Sequence, residues 1–168
     1  MNKQPTRIRN ALNALAGFTL ALGICAAQSS RADDGTFTVA SLQGGYAYVN
    51  NSEGVASFGP MTFDGKGGVT LADKVNLPCA SSGPSCNRTI VDIVGVGTYT
   101  VDPDGTGVAT FAFKNADGTN IDTEDYDFVI TAAIRNGRKL LATQVFAADR
   151  SGGLAGQLVA PTWSRVSD

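Results

Sequence analysis

Tyr126-Asp127-Phe128-Val129-Ile130-Thr131-Ala132-Ala133-Ile134-Arg135-Asn136-Gly137-Arg138-Lys139-Leu140 is the stretch that decides the fold. In an extended chain successive side chains point to opposite faces. Tyr126, Phe128, Ile130, Ala132 and Ile134 therefore share one face, and Asp127, Val129, Thr131, Ala133 and Arg135 share the other. One face is apolar enough for a core and the other is more polar, as in an antiparallel strand with one buried side. Asn136-Gly137 follows directly, and this pair tolerates the positive φ of a tight hairpin turn.

Outward from this hairpin the same grammar repeats. Asp64-Gly65 lies between Met61-Thr62-Phe63 and Val69-Thr70-Leu71, and Asp104-Gly105 lies between Tyr99-Thr100-Val101 and Ala109-Thr110-Phe111. No segment after residue 32 sustains apolar spacing at i, i+3, i+4 and i+7. Alternation with β-branched and aromatic residues predicts about eight strands, over 39–49, 55–63, 68–76, 89–101, 107–114, 126–135, 139–147 and 154–163. Residues 78–88 and the polar run 115–125 read as connections. Gly44-Gly45, Gly95 and Gly97 fall inside strands and read as bends. The expectation is an all-β antiparallel meander closed into a barrel, because closure removes exposed edges. A two-sheet sandwich is the alternative.

The N-terminus reads differently. Lys3, Arg7 and Arg9 form a basic head, residues 11–27 are almost all apolar, and Ser30-Arg31-Ala32 offers small residues at a cleavage site, with Cys25-Ala26-Ala27 as a second one. Residues 1–32 are expected to be a signal peptide and residues 33–168 one all-β domain, exported to the periplasm or outside the cell. All 15 acidic residues lie after position 32, and four of the 13 basic ones lie before position 33, so the mature part is more acidic than the whole-chain charge of −2. It has no basic run, which argues against nucleic acid as a partner, and no second apolar stretch of membrane-spanning length.

There is no histidine. That removes Ser-His-Asp and Cys-His catalysis and any His-ligated zinc or copper. A base working near neutral pH would have to be a carboxylate, Lys or Tyr with a shifted pKa. Cys25 leaves with the signal, so Cys79 and Cys86 remain. In an exported protein this pair reads as a disulfide on a loop, contributing about 2–3 kcal/mol through chain entropy.

Asp117, Asp122, Glu124, Asp125 and Asp127 form the densest acidic cluster, and the first four are weak calcium candidates. Their spacing does not match a calcium loop, and a solvated loop is the simpler reading. No other metal site and no cofactor is expected. Glu53 and Glu124, the only glutamates, stand in polar sequence and read as exposed loop residues. Tyr46, Tyr48, Tyr99, Phe111, Phe113, Phe128, Phe146 and Trp163 lie on strands and are the candidate lining of a cavity, against the alternative of a filled core. Trp163 is also placed to close one barrel end and to donate through its indole N–H.

Two stretches look alike: Gly59-Pro60-Met61-Thr62-Phe63-Asp64-Gly65-Lys66-Gly67-Gly68-Val69-Thr70, and Gly97-Thr98-Tyr99-Thr100-Val101-Asp102-Pro103-Asp104-Gly105-Thr106-Gly107-Val108-Ala109-Thr110. With Gly45-Tyr46 as an early G-x-Y, they resemble bacterial secreted proteins that carry F-D-G-x-G and then G-x-Y-x-V-x-x-D-G-x-G elements. Those proteins are loosely similar to allene oxide cyclase barrels and, more distantly, to lipocalin-type calycins. The resemblance implies a barrel. It carries no active-site residue, because none of the cyclase's aligns to a position here.

Three functions follow as expectations, in this order. The first is binding of a small apolar or amphipathic molecule inside the barrel. The second is a structural or envelope interaction module without a ligand. The third is an enzyme of cyclase or isomerase type, whose minimum requirement is a buried carboxylate facing an internal pocket.

Overall fold

The computed structural model describes residues 35–52, 54–78, 87–151 and 159–166. The expected signal peptide, Cys79, Cys86 and Glu53 lie outside the described residues. Eight strands follow one another: β1 (Gln43–Ser52), β2 (Val55–Asp64), β3 (Gly68–Leu77), β4 (Thr89–Val101), β5 (Thr106–Asn115), β6 (Asn120–Asn136), β7 (Lys139–Asp149) and β8 (Thr162–Arg165). Each pairs antiparallel with the next, and β8 pairs back onto β1 through Tyr48↔Trp163 and Ala47↔Ser164. That last ladder closes the barrel and removes the sandwich alternative. Asn136 pairs with Lys139 across the expected Asn-Gly turn, where Gly137 takes a φ of 61°.

The repeated Asp-Gly elements are turn chemistry. Asp64 Oδ1 accepts the N–H groups of Lys66 (2.7 Å) and Gly68 (2.8 Å). Asp104 Oδ1 accepts the N–H (2.9 Å) and the hydroxyl (2.6 Å) of Thr106. These bonds hold both carboxyls below the usual carboxylate range.

Three boundaries and one register depart from the sequence reading. Residues Val39–Ser41 form a 3-10 turn instead of opening β1. There the Ser41 hydroxyl accepts the Thr38 N–H at 3.0 Å, a local bond that competes with the ladder. β6 begins at Asn120, so most of the expected polar connection belongs to β5 and β6. β8 covers only Thr162–Arg165, and residues 152–158 of the expected last strand lie outside the described residues. A bulge shifts the β6–β7 register around Ala132. Ile134 is thereby turned outward at 54% exposure, while Ala133 packs against the core.

The inward faces differ along the axis. One half holds Tyr46, Phe63, Tyr99, Phe111, Phe128 and Trp163, all buried. Phe63 stands edge-on to Tyr46 (ring centroids 5.2 Å apart) and to Tyr99 (5.0 Å), and Trp163 lies 5.5 Å from both Phe63 and Phe128. The 3-10 turn packs on this end. Tyr99 Oη donates to the Leu42 carbonyl at 2.7 Å, and Tyr46 Oη donates to the Ala142 carbonyl at 2.7 Å. Gly107 is required here, because a Cβ at that position would stand 2.4 Å from the Phe128 ring and 2.2 Å from the Thr100 carbonyl oxygen.

Candidate functional site

The other half of the barrel is hollow. A cavity of about 230 Å³ lies between the strands that carry Tyr48 and Asn50 (β1), Ser57 (β2), Asp73 and Val75 (β3), Ile93 (β4), Phe113 (β5), and Glu124 and Tyr126 (β6). Leu77, Pro78, Ile121, Asp122 and Val159 stand around it at the end of the barrel. Asn50, Ser57, Asp73, Val75, Ile93 and Glu124 at this level are smaller or more polar than the rings of the aromatic half, and leave space beside Tyr48, Phe113 and Tyr126 unfilled.

Three carboxyls are buried in this half: Asp73 at 6% exposure, Glu124 at 7% and Asp149 at 8%. Asp73 alternates with Leu71 and Val75 and points inward with them. Burial pushes its carboxyl up to about 6, with the Ser57 hydroxyl and the N–H groups of Lys74 and Phe58 pulling the other way. Asp73 Oδ1 has no hydrogen-bond partner. Glu124 accepts a hydrogen bond from Tyr126 Oη. Burial raises the Glu124 carboxyl, the Tyr126 bond opposes that rise, and the negative charges of Asp149, Asp122 and Asp73 add to it. Burial also raises the Tyr48 and Tyr126 phenols, so both stay protonated donors at any physiological pH. Asp149 Oδ1 is held by the Ser151 N–H (2.8 Å) and hydroxyl (2.6 Å), and its Oδ2 is unpartnered.

The expected lining is therefore largely displaced. Of the eight aromatic candidates Tyr48 and Phe113 line this cavity, Phe146 faces outward, and Tyr46, Tyr99, Phe111, Phe128 and Trp163 fill the opposite half. Trp163 is fully buried there, and its Nε1 makes no hydrogen bond. Glu124 is a core-facing strand residue and not an exposed loop residue. The calcium candidates do not converge. Asp117 sits in the β5–β6 turn and accepts the Thr119 N–H at 2.9 Å, and Asp125 faces outward onto the Thr110 hydroxyl at 2.6 Å. Asp122 stands at the cavity rim and Glu124 inside it. Among the described residues no group of three or more acidic, Cys or His side chains is arranged to hold a metal ion.

Sequence reasoning missed Asp73, Asn50 and Ser57. The signal was parity. Asp73 is in phase with Val69, Leu71 and Val75, Tyr48 and Asn50 with Tyr46, Ser57 with Met61 and Phe63, and Glu124 with Tyr126 and Phe128. A charged residue in phase with a buried apolar face is the mark of a site.

The cavity can accept hydrogen bonds from a ligand at Asp73 and Glu124, and can donate to it from the Tyr48 phenol, the Tyr126 proton being given to Glu124. A carboxyl raised to about 6 can also exchange a proton near neutral pH. Comparison with known proteins adds no precedent, since no family model, no curated protein and no solved structure matches this chain.

Proposed function

We propose that this chain is an exported barrel that binds one small amphipathic molecule in its hollow half. The carrying observation is the cavity of about 230 Å³ whose mainly apolar lining includes buried carboxyls and phenols. A site of about 150 Å³ accommodates benzene, so this one suits a single substituted ring or a short chain. The outer face of the barrel bears Lys74, Asp92, Lys114, Asp125 and Asp127 among exposed Phe58, Val96 and Phe146, and the interior is an apolar core in one half and a cavity with buried carboxyls in the other. Charges spread over the outer face, where a transmembrane barrel is apolar, support a protein working in water. Export rests on the basic head, apolar run and small-residue exit of residues 1–32, and a Cys79–Cys86 bridge rests on that compartment.

Saturation-transfer NMR with toluene and benzyl alcohol tests the binding reading. Both should receive saturation from the wild-type protein, and neither from Val75→Trp, which fills the cavity from β3. No transfer from the wild type, or equal transfer from a folded Val75→Trp, overturns it.

A second reading, proton-transfer catalysis of the cyclase or isomerase kind, is favoured by Asp73 and Glu124 facing the same cavity. It requires a substrate whose turnover falls at least a hundredfold in Asp73→Asn or Glu124→Gln, the scale on which acid–base groups act.

A further inference from the structure

We propose that the ligand of this cavity is a small amphipathic amine, its ammonium seated against Asp73 and Glu124 and its apolar body against Val75, Ile93 and Phe113. This rests on the binding reading and names the chemical class. The argument is charge balance. Asp73 from β3 and Glu124 from β6 line the cavity, Asp122 of β6 stands at its rim, and buried Asp149 of β7 adds its charge against Glu124. The facing groups from the other strands are the neutral hydroxyls of Tyr48, Ser57 and Tyr126 and the Asn50 amide.

Among the described residues no Lys or Arg lines the cavity. Lys74 points outward and pairs with Asp92 at 2.6 Å, and Arg150 pairs with Asp127 on the outer face. A buried carboxylate without a counter-charge is costly and is stabilised by a paired cation. Asp73 Oδ1, buried and without a hydrogen-bond partner, is the acceptor left over for that cation. An anionic ligand would add a further negative charge to this group. A neutral one would leave the Asp73 charge unpaired once that carboxyl ionises above about pH 6.

The test compares near-isosteric probes by calorimetry on the mature protein: benzylamine, benzyl alcohol and benzoate. At pH 7.5 benzylamine should bind at least tenfold tighter than benzyl alcohol, and benzoate should give no measurable heat. Lowering the pH from 7.5 to 5 should remove the amine's advantage and leave the alcohol's affinity unchanged, because a protonated Asp73 no longer pairs with ammonium. Asp73→Asn should do the same at pH 7.5, and the pH series on the wild type gives an independent answer if that variant fails to fold. Benzyl alcohol binding as tightly as benzylamine, or an amine preference untouched by both pH and Asp73→Asn, overturns the amine assignment and leaves the cavity reading standing. Failure of all three probes to bind overturns both.

Discussion

The two halves of the barrel are built from the same strands with the same inward parity, yet one is solid and the other hollow. In the aromatic half, rings from β1, β2, β4, β6 and β8 meet at 5.0–5.5 Å, and the 3-10 turn closes the end. In the cavity half the inward positions hold Asn50, Ser57, Asp73, Val75, Ile93 and Glu124, which are too small to touch or too polar to collapse. The solid half gives the barrel its core, and that frees the other half to keep a destabilising arrangement of buried carboxyls. Such a division between scaffold and site is where local rules are expected to break.

The largest effect should come from opening the solid half. Trp163 is fully buried against Phe63 and Phe128, so Trp163→Ala should cost about 3–5 kcal/mol. Phe113→Ala, beside an existing cavity, removes a ring that already lacks packing partners on one side and should cost about half as much. Urea denaturation of the two variants measures the difference. Equal costs would mean that the cavity half is packed as tightly as the aromatic half.

Much of this architecture was legible in the sequence, and the site was not, for definite reasons. Strand parity and the turns at Asp64-Gly65, Asp104-Gly105 and Asn136-Gly137 depend on neighbours a few residues apart, so they could be read locally. The height of an inward residue along the barrel axis depends on the stagger between strands, which no single segment encodes. Aromatic identity alone therefore placed Tyr46, Tyr99 and Trp163 in a cavity that they do not line. The bulge near Ala132 turned Ile134 outward for the same reason: register is a property of the β6–β7 pair. Glu124 was hidden by its polar neighbours Asp122, Thr123 and Asp125, although its phase with Tyr126 pointed inward.

The second effect separates the halves by the sign of a charge. The unfolded Asp73 carboxyl titrates near 3.8 and the folded one at about 6, so the folded state holds its proton to higher pH. The stability from this group is full below about pH 4 and is lost as pH rises towards 6. Asp73→Asn should therefore raise stability at pH 7.5 by about 2 kcal/mol, or roughly 5–10 °C in Tm, with no gain near pH 4. Thermal unfolding at both values checks this. A variant less stable than the wild type at pH 7.5 would mean that Asp73 is already paired within the fold.

The smallest effect compares two phenols that differ only in what they bond. Tyr46 in the solid half donates to a backbone carbonyl, and Tyr126 in the hollow half donates to Glu124. Tyr46→Phe should cost about 1 kcal/mol at every pH, since the Ala142 carbonyl does not titrate. Tyr126→Phe should cost about 1 kcal/mol more at pH 7.5, because a hydrogen bond to a charged acceptor is stronger and its loss leaves a buried carboxylate without that donor. As pH falls, Glu124 takes up a proton in the folded state and no longer needs the donor to support a charge, so the excess shrinks towards zero. Denaturation midpoints of the two variants at pH 4 and pH 7.5 decide the point. Parallel costs at the two pH values would place Glu124 among the neutral groups of this cavity.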